Sequence, residues 1–411
     1  MTVNNMYDLI IRHGHVIDPV NGVDGIADVG IRDSKIVSVK NELQGIGKKE
    51  IQADGLYVTP GLIDLHCHCY PTYPMYKDSL PTILPDAHMF RSGVTTCVDA
   101  GTSGWKDFER FKKTVIDTSK TRVLAFINIA DDGMVHLDGE QEPKNFHPEI
   151  TAAVAKEFAD VVVGIKTAHY WVGVPFDEKH KPWDSVDSAV KAAELAGVPC
   201  MADFQPNLPE RTYPDLILKH LRSGDIHTHV YAQQFPILDE NGKVNSFMYE
   251  ARERGVVFDL GHGACSFWFR NACPALKQGF YPDTISTDLY IDNIFGPVYG
   301  LDYVMSKYLC MGMSIQEVIY RTTQRPAQVI HHDELGNLTS GSCADITLLK
   351  INQGSFAYPD GGRAKLCGDQ RIECMATIRD GELVYNPYAY TMPEWENAPD
   401  AYWVHPGIIQ D

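Results

Sequence analysis

The sequence predicts an α/β protein: a (β/α)8 TIM barrel with a small β-sandwich formed by the N- and C-terminal segments. Three observations predict it. The middle of the chain holds eight apolar strand candidates, at intervals of roughly 28–38 residues, separated by amphipathic helices. Both ends read instead as short strands broken by Gly and Asp. Polar side chains stand at the C-terminal ends of six of the eight central strands, where barrel enzymes place their active sites.

The strand candidates are Leu62–His68, Val94–Ala100, Val123–Ala130, Val161–Ala168, Val198–Phe204, Ile226–Tyr231, Val256–Gly261 and Thr284–Leu289. Continuous apolar strands alternating with helices form a buried parallel sheet. Eight units of this length close into a barrel. Ser185–Ala196 and Ser314–Thr322 carry apolar residues at 3–4 spacing, as outer helices do. The N-terminal strands are Asp8–Arg12, His15–Asp18, Ala27–Ile31 and Lys35–Val39. The C-terminal ones are Ala344–Leu349, Cys374–Ile378 and Glu382–Tyr385. The expected organisation is residues 1–59 and 341–386 as the two parts of the β-domain, 60–340 as the barrel and 387–411 as an extended arm. Tyr388, Tyr390, Trp395, Tyr402 and Trp403 make that arm aromatic enough to pack on the body or on another subunit.

A chain of 411 residues can bury a large core. Its formal net charge of −18 argues against nucleic acid and anionic membrane surfaces as partners. The first residues show no secretory signal, and no apolar stretch is long enough to span a bilayer. Ten scattered cysteines read as reduced thiols, so a cytoplasmic location is expected. Cys67 and Cys69 fall on the strand face opposite His66 and His68, where packing is their role.

Pro60-Gly-Leu-Ile-Asp-Leu-His-Cys-His68 is the most specific segment. Residues i and i+2 of a strand share a face, so His66 and His68 project together and offer half a metal site. An isolated pair of this kind is more often exposed and idle. Here the other strand ends supply Lys166, Asp203, His229, His262 and Asp288. Lys166 follows an apolar run, where a buried ammonium is costly and the neutral amine becomes accessible. That amine can take up carbon dioxide as a carbamate whose two oxygens bridge two cations. A lysine reaching out of the barrel or paired with an acid is the plainer reading.

These residues carry a resemblance. The chain resembles the amidohydrolase superfamily of metal-dependent hydrolases, in its dihydroorotase-like amidohydrolase/deacetylase group, over nearly its whole length. The matching segments are Pro60–His68, Arg91–Thr96, Val163–Lys166, Gly224–His229, Gly255–Gly263 and Pro282–Asp288, followed by Met305–Lys307 and Gly312–Ser314. The resemblance implies two divalent metals, zinc in the first instance; the oxygen ligand Asp203 offers would also admit Mn2+ at the second site. It implies His66 and His68 on the first ion, a carboxylated Lys166 bridging, His229 on the second ion, and Asp288 on the first ion as proton shuttle for a metal-bound hydroxide. That apparatus hydrolyses an amide, N-acyl or cyclic, of a small-molecule substrate; a carboxylic ester is the close second reading. A homo-oligomer is expected.

One departure stands out. The superfamily pattern has a histidine at the end of strand five, and this chain has Asp203. Either Asp203 coordinates through oxygen or His169, three residues after Lys166, replaces the imidazole. His169 is otherwise a substrate contact. His262, between two glycines, reads either as a substrate or oxyanion contact or as a structural turn. A deaminase is disfavoured, because the strand-five histidine and a nearby His-x-x-Glu acid are absent. A non-catalytic scaffold is disfavoured by the retained ligands. Substrate identity lies in the loops 69–88, 131–148, 169–184 and 205–214; the aromatic run Tyr70–Tyr76 reads either as one pocket wall or as an ordinary packed loop.

Overall fold

The computed structural model describes residues 6–71, 80–171 and 175–399. Thr72 to Tyr76 of the aromatic run, and Tyr402 and Trp403 of the arm, lie outside the described residues.

Strands β6 (Leu62–Cys67), β7 (Val94–Gly104), β8 (Arg122–Asn128), β9 (Val162–His169), β10 (Cys200–Phe204), β11 (Ile226–His227) and β12 (Val257–Phe258) form one parallel sheet in chain order. The eighth segment closes it. Thr284 bridges to Asp259 and Leu289 to Cys67, both parallel. The Asp288 backbone N–H donates to His66 O at 2.6 Å, and Leu260 N–H donates to Thr284 O at 3.0 Å. The sixth and seventh strands are shorter than expected. The chain leaves the sheet at His229 and Gly261, both with positive φ (61° and 46°), a conformation no strand accommodates.

The barrel interior is apolar in its lower half, with Ile63, Leu65, Val98, Leu124, Phe126, Val163, Met201, Ile226 and Val257 in one buried cluster. Burying such side chains stabilises the fold by about 1.5–3 kcal/mol each. The polar strand ends sit above this floor. Helices such as Pro148–Glu157, Asp184–Ala196 and Leu301–Cys310 pack outside. Asp184–Ala196 stops at Gly197, whose φ of 77° is left-handed. Ser314 caps Ile315–Tyr320 by accepting the Glu317 N–H.

Both termini build one mixed sheet, ordered β15-β14-β13-β5-β1-β2-β3 with β4 on β1. Here β1 is Met6–Asp18, β2 Val23–Arg32, β3 Lys35–Lys40, β4 Ile46–Gln52, β5 Tyr57–Pro60, β13 Ile346–Pro359, β14 Lys365–Arg379 and β15 Glu382–Tyr385. It encloses its own core, with Ile11, Val16 and Val29 from one end against Ile346, Leu348 and Ile378 from the other. The two N-terminal strands expected at 8–12 and 15–18 are one strand, with an irregularity between Ile11 and Gly14. The expected C-terminal strands are the inner ends of a longer hairpin. Its outer half, around Gln353–Ser355 and Lys365–Arg371, is exposed and polar, so no buried pattern announces it. Tyr390 packs against the core of this domain, and Tyr388 donates its hydroxyl to Glu373.

Candidate metal centre at the barrel mouth

Six of the eight singled-out residues converge on one cavity of about 490 Å3, lined by His66, His68, Lys166, Asp203, His229 and Asp288. A pocket of that size suits a small molecule. His68 Nε2 lies 3.1 Å and His66 Nε2 3.6 Å from Asp288 Oδ1. These three donor atoms are mutually close enough to share one cation. Across the mouth, His229 Nε2 lies 3.1 Å from Asp203 Oδ2. The His66 and His229 rings are 5.1 Å apart, centre to centre, so the two groups adjoin.

The fit of a metal can be tested on the imidazole tautomers. Thr228 Oγ1 donates its proton to Asp259, so it can only accept from His66 Nδ1 at 3.0 Å. Thr102 Oγ1 donates to Asp99, so it can only accept from His68 Nδ1 at 2.8 Å. His229 Nδ1 faces the carbonyl oxygen of Gly261 at 2.5 Å, which also only accepts. Each ring therefore carries its hydrogen on Nδ1 and turns Nε2 to the cavity. An outer oxygen that fixes the tautomer is the usual support of a metal-binding histidine. The donor set fits divalent ions.

Lys166 is buried, with Nζ 3.3 Å from His66 Nε2 and 3.8 Å from Met201 Sδ. Among the described residues no carboxylate is within ion-pairing distance of it. Asp203 is buried, which opposes its ionisation. The adjacent His229 imidazolium, with Lys166 and the Tyr170 hydroxyl, outweighs burial and brings Asp203 down to about 2. His229 is likewise disfavoured as a cation by burial, yet Asp203 raises it to about 9.

His169 and His262 stand elsewhere. His169 Nδ1 accepts from Arg211 Nη1 at 2.9 Å and its Nε2 meets His180 Nε2 at 3.0 Å, so neither nitrogen is free to replace the strand-five imidazole. It does not line the cavity. Nor does His262. Its Nε2 lies 2.6 Å from Lys307 Nζ and its Nδ1 2.9 Å from Gly263 O. The flanking glycines serve the site instead. A Cβ on Gly261 would stand 2.7 Å from His229 Nδ1, and one on Gly263 2.5 Å from Asp288 Oδ2.

Over 384 residues the chain is 32% identical to a deacetylase of Enterococcus faecalis, covering 92% of this chain and 100% of that protein. The chain belongs to the amidohydrolase superfamily. This amidohydrolase is 30% identical over 344 residues to a deacetylase of Agrobacterium fabrum, across 80% of the chain and 79% of the relative. It is 25% identical over 392 residues to a dihydroorotase of Ruminiclostridium cellulolyticum, across 84% and 89%. Among solved structures it is similar to an adenine deaminase, with a TM-score of 0.83 and 30% identity over 92% of this chain and 100% of that one. A dihydroorotase follows at 0.77 and 25%, over 92% and 99%. No family model matches the chain. These relatives place it in the dihydroorotase-like group, as a hydrolase of the metal-dependent type.

The amidohydrolase's cavity also contains residues that no motif announced. Glu140, Tyr170 and Tyr290 line it, Tyr290 beside the His68 ring. Tyr170 follows strand β9 by one residue and donates to Asp203 Oδ1 at 2.5 Å. Glu140 sits in the short 3-10 helix Leu137–Gln141 of a connection, where sequence alone carries no register. Tyr70 points away, donating its hydroxyl to Asp107. Cys67, Cys69 and Cys97 are buried together on the outer face of the strands. Among the described residues no helix is long and apolar enough to cross a membrane.

Proposed function

We propose that this amidohydrolase hydrolyses a carbon–nitrogen bond, N-acyl or cyclic amide, of a small molecule. The observation that carries the proposal is the set of three imidazoles, each held at Nδ1 and offering Nε2 to one cavity shared with Asp203, Asp288 and Lys166. His66, His68 and Asp288 would hold the first ion, and His229 with Asp203 the second. Zn2+ suits both sets of ligands, and the oxygen of Asp203 also admits Mn2+ at the second. Lys166, buried with no counter-ion among the described residues, is the residue that would carry a carbamate to serve as a further ligand. Divalent ions there would acidify water and polarise a carbonyl.

The chain's own groups do the rest. Asp288 reaches the cavity with a carboxylate whose backbone is pinned to His66 O. From there it takes a proton from the attacking water and returns it to the leaving nitrogen. An amide needs this second transfer, because an amine anion is too poor a leaving group to depart unprotonated. Tyr170 holds one oxygen of Asp203 and leaves the other toward His229. The deacetylase relatives leave open whether the acyl group sits on nitrogen or oxygen, so an O-acyl substrate is the second reading, served by the same groups. A small-molecule substrate, a cytoplasmic location, a homo-oligomeric state and no role in nucleic-acid or membrane binding complete the proposal.

The test is to chelate the protein and restore it with Zn2+, with and without bicarbonate, and to assay matched acetamides and acetate esters. Hydrolysis of acetamides only when metal and bicarbonate are both present is the expected result. Recovery with metal alone in carbon-dioxide-free buffer counts against the carbamate. Cleavage of esters alone counts against the amide reading.

A further inference from the structure

The cavity wall holds a second acidic feature that the ligand set does not use. Glu140 is only 5% exposed, yet it lines the cavity. Its Oε1 accepts from Asn128 Nδ2 at 2.6 Å. Asn128 is itself fixed: Nδ2 also donates to Gly101 O at 3.0 Å, and Oδ1 accepts from Ala130 N at 3.0 Å. Asn128 pairs with Lys166 in the β8–β9 register, so Glu140 is tethered one strand from the candidate centre. Its Oε2 has no partner among the described residues. A carboxyl group out of bulk water with a single side-chain hydrogen bond is disfavoured as an ion. Burial accordingly raises the Glu140 carboxyl to about 8.

The surroundings sharpen the point. Asp138 lines the same wall, and among the described lining residues Lys166 is the sole lysine and there is no arginine. With divalent ions bound, Asp203, Asp288 and a carbamate on Lys166 are committed to them, while Glu140 and Asp138 remain. With Lys166 carboxylated, a carboxylate-bearing substrate would find no lysine or arginine to pair with among the described lining residues. The apolar stretch beside Glu140, formed by Leu80, Met134 and Leu137, suits a short hydrocarbon segment.

We propose that Glu140 is a specificity-determining residue whose free Oε2 receives a cationic N–H group of the substrate, an ammonium or amidinium joined to the scissile acyl group by a short apolar spacer. The proposal rests on the hydrolytic reading above. A charge-assisted hydrogen bond out of bulk water is the strong kind, and the cation stabilises the ionised form that burial disfavours.

The experiment compares three acetamides differing only at the far end: N-acetylputrescine, N-butylacetamide and N-acetyl-γ-aminobutyrate. With the metal-loaded enzyme, kcat/KM should be about tenfold higher for the cationic than for the neutral compound, and lowest for the anionic one. In Glu140→Gln, which keeps the Asn128 contact, the cationic-to-neutral ratio should fall to about one. In Glu140→Lys the order should invert. A native preference for the anionic compound, or a cationic preference that survives Glu140→Gln, overturns the proposal. If none of the three is hydrolysed, the hydrolytic reading fails on these amides, and binding still decides the charge question. Calorimetry on the chelated protein should then show benzylammonium binding more tightly than benzoate, with the difference lost in Glu140→Gln. Tighter binding of benzoate to the native protein, or a difference unchanged by Glu140→Gln, overturns the proposal.

Discussion

His68 Nδ1 donates to Thr102 Oγ1 at 2.8 Å, and the same hydroxyl passes its own proton to Asp99 at 2.8 Å. Asp99 is anchored in turn by the backbone N–H groups of Cys69 and Thr102, each at 2.8 Å. One hydroxyl thus decides which His68 nitrogen faces the cavity. Thr102→Val keeps the shape and removes the oxygen. The expected result is a metal affinity lower by about 10–100-fold with the fold retained. A competitive titration against a chelator of known affinity checks it, and an unchanged affinity would remove Thr102 from the metal's support.

Among the described residues the Asp288 carboxylate is ion-paired with His66 and His68 alone, so little of the fold depends on its charge. Asp288→Asn should leave the melting temperature within a few degrees of native and lower kcat by about 10²–10⁴-fold, the span of general acid–base catalysis. Near-native turnover would sink the proton-transfer role.

The Asp203–His229 pair makes chelated protein pH-sensitive on both flanks. Asp203 falls from 3.8 to about 2, so its contribution is present above 3.8 and lost as pH drops toward 2. His229 rises from 6.5 to about 9, so its contribution is complete below 6.5 and lost as pH climbs through 9. Thermal melts of the chelated protein should show the pair at full strength between about pH 4 and 6.5. Asp203→Asn should flatten the decline on the alkaline side; a decline of native steepness in that variant would dissociate it from the pair.

Gly263 has a φ of 55°, and its missing Cβ leaves room for Asp288 Oδ2. Gly279 is equally left-handed at 76°, with open space where a Cβ would go. Alanine at either position costs about 1 kcal/mol in backbone strain. Only Gly263→Ala should also displace Asp288, lowering kcat by at least about tenfold, while Gly279→Ala keeps native turnover. Equal kinetics in the two variants would argue that Gly263 serves the turn alone.

Much of this architecture was legible in the chain because barrels repeat one physical unit. Apolar runs of strand length, each followed by an amphipathic helix, have few ways to bury themselves. The polar residues interrupting those runs at one end had to meet at one mouth, and that placed His66, His68, Lys166, Asp203, His229 and Asp288 together. Strand alternation likewise sent Cys67 and Cys69 to the opposite face. The outer half of the C-terminal hairpin escaped notice because it is largely polar and exposed, with only Phe356, Tyr358 and Leu366 packing inward.

Tertiary structure decided what depends on direction and on loops. His169 follows Lys166 by three residues and looks available, but a buried Arg211 from a distant segment occupies Nδ1 and His180 occupies Nε2. His262 sits at the end of the right strand, yet Lys307 draws it away, and its glycine neighbours prove to be the residues the site needs. Glu140 reaches the cavity from the short helix of a connection, with no period to place it. By itself the sequence determined the barrel and the residues gathered at its mouth, because burial and strand periodicity are local patterns. Which nitrogen faces the cavity, and which acid keeps one oxygen free, were decided by contacts between residues separated in the chain, and only folding brings those together.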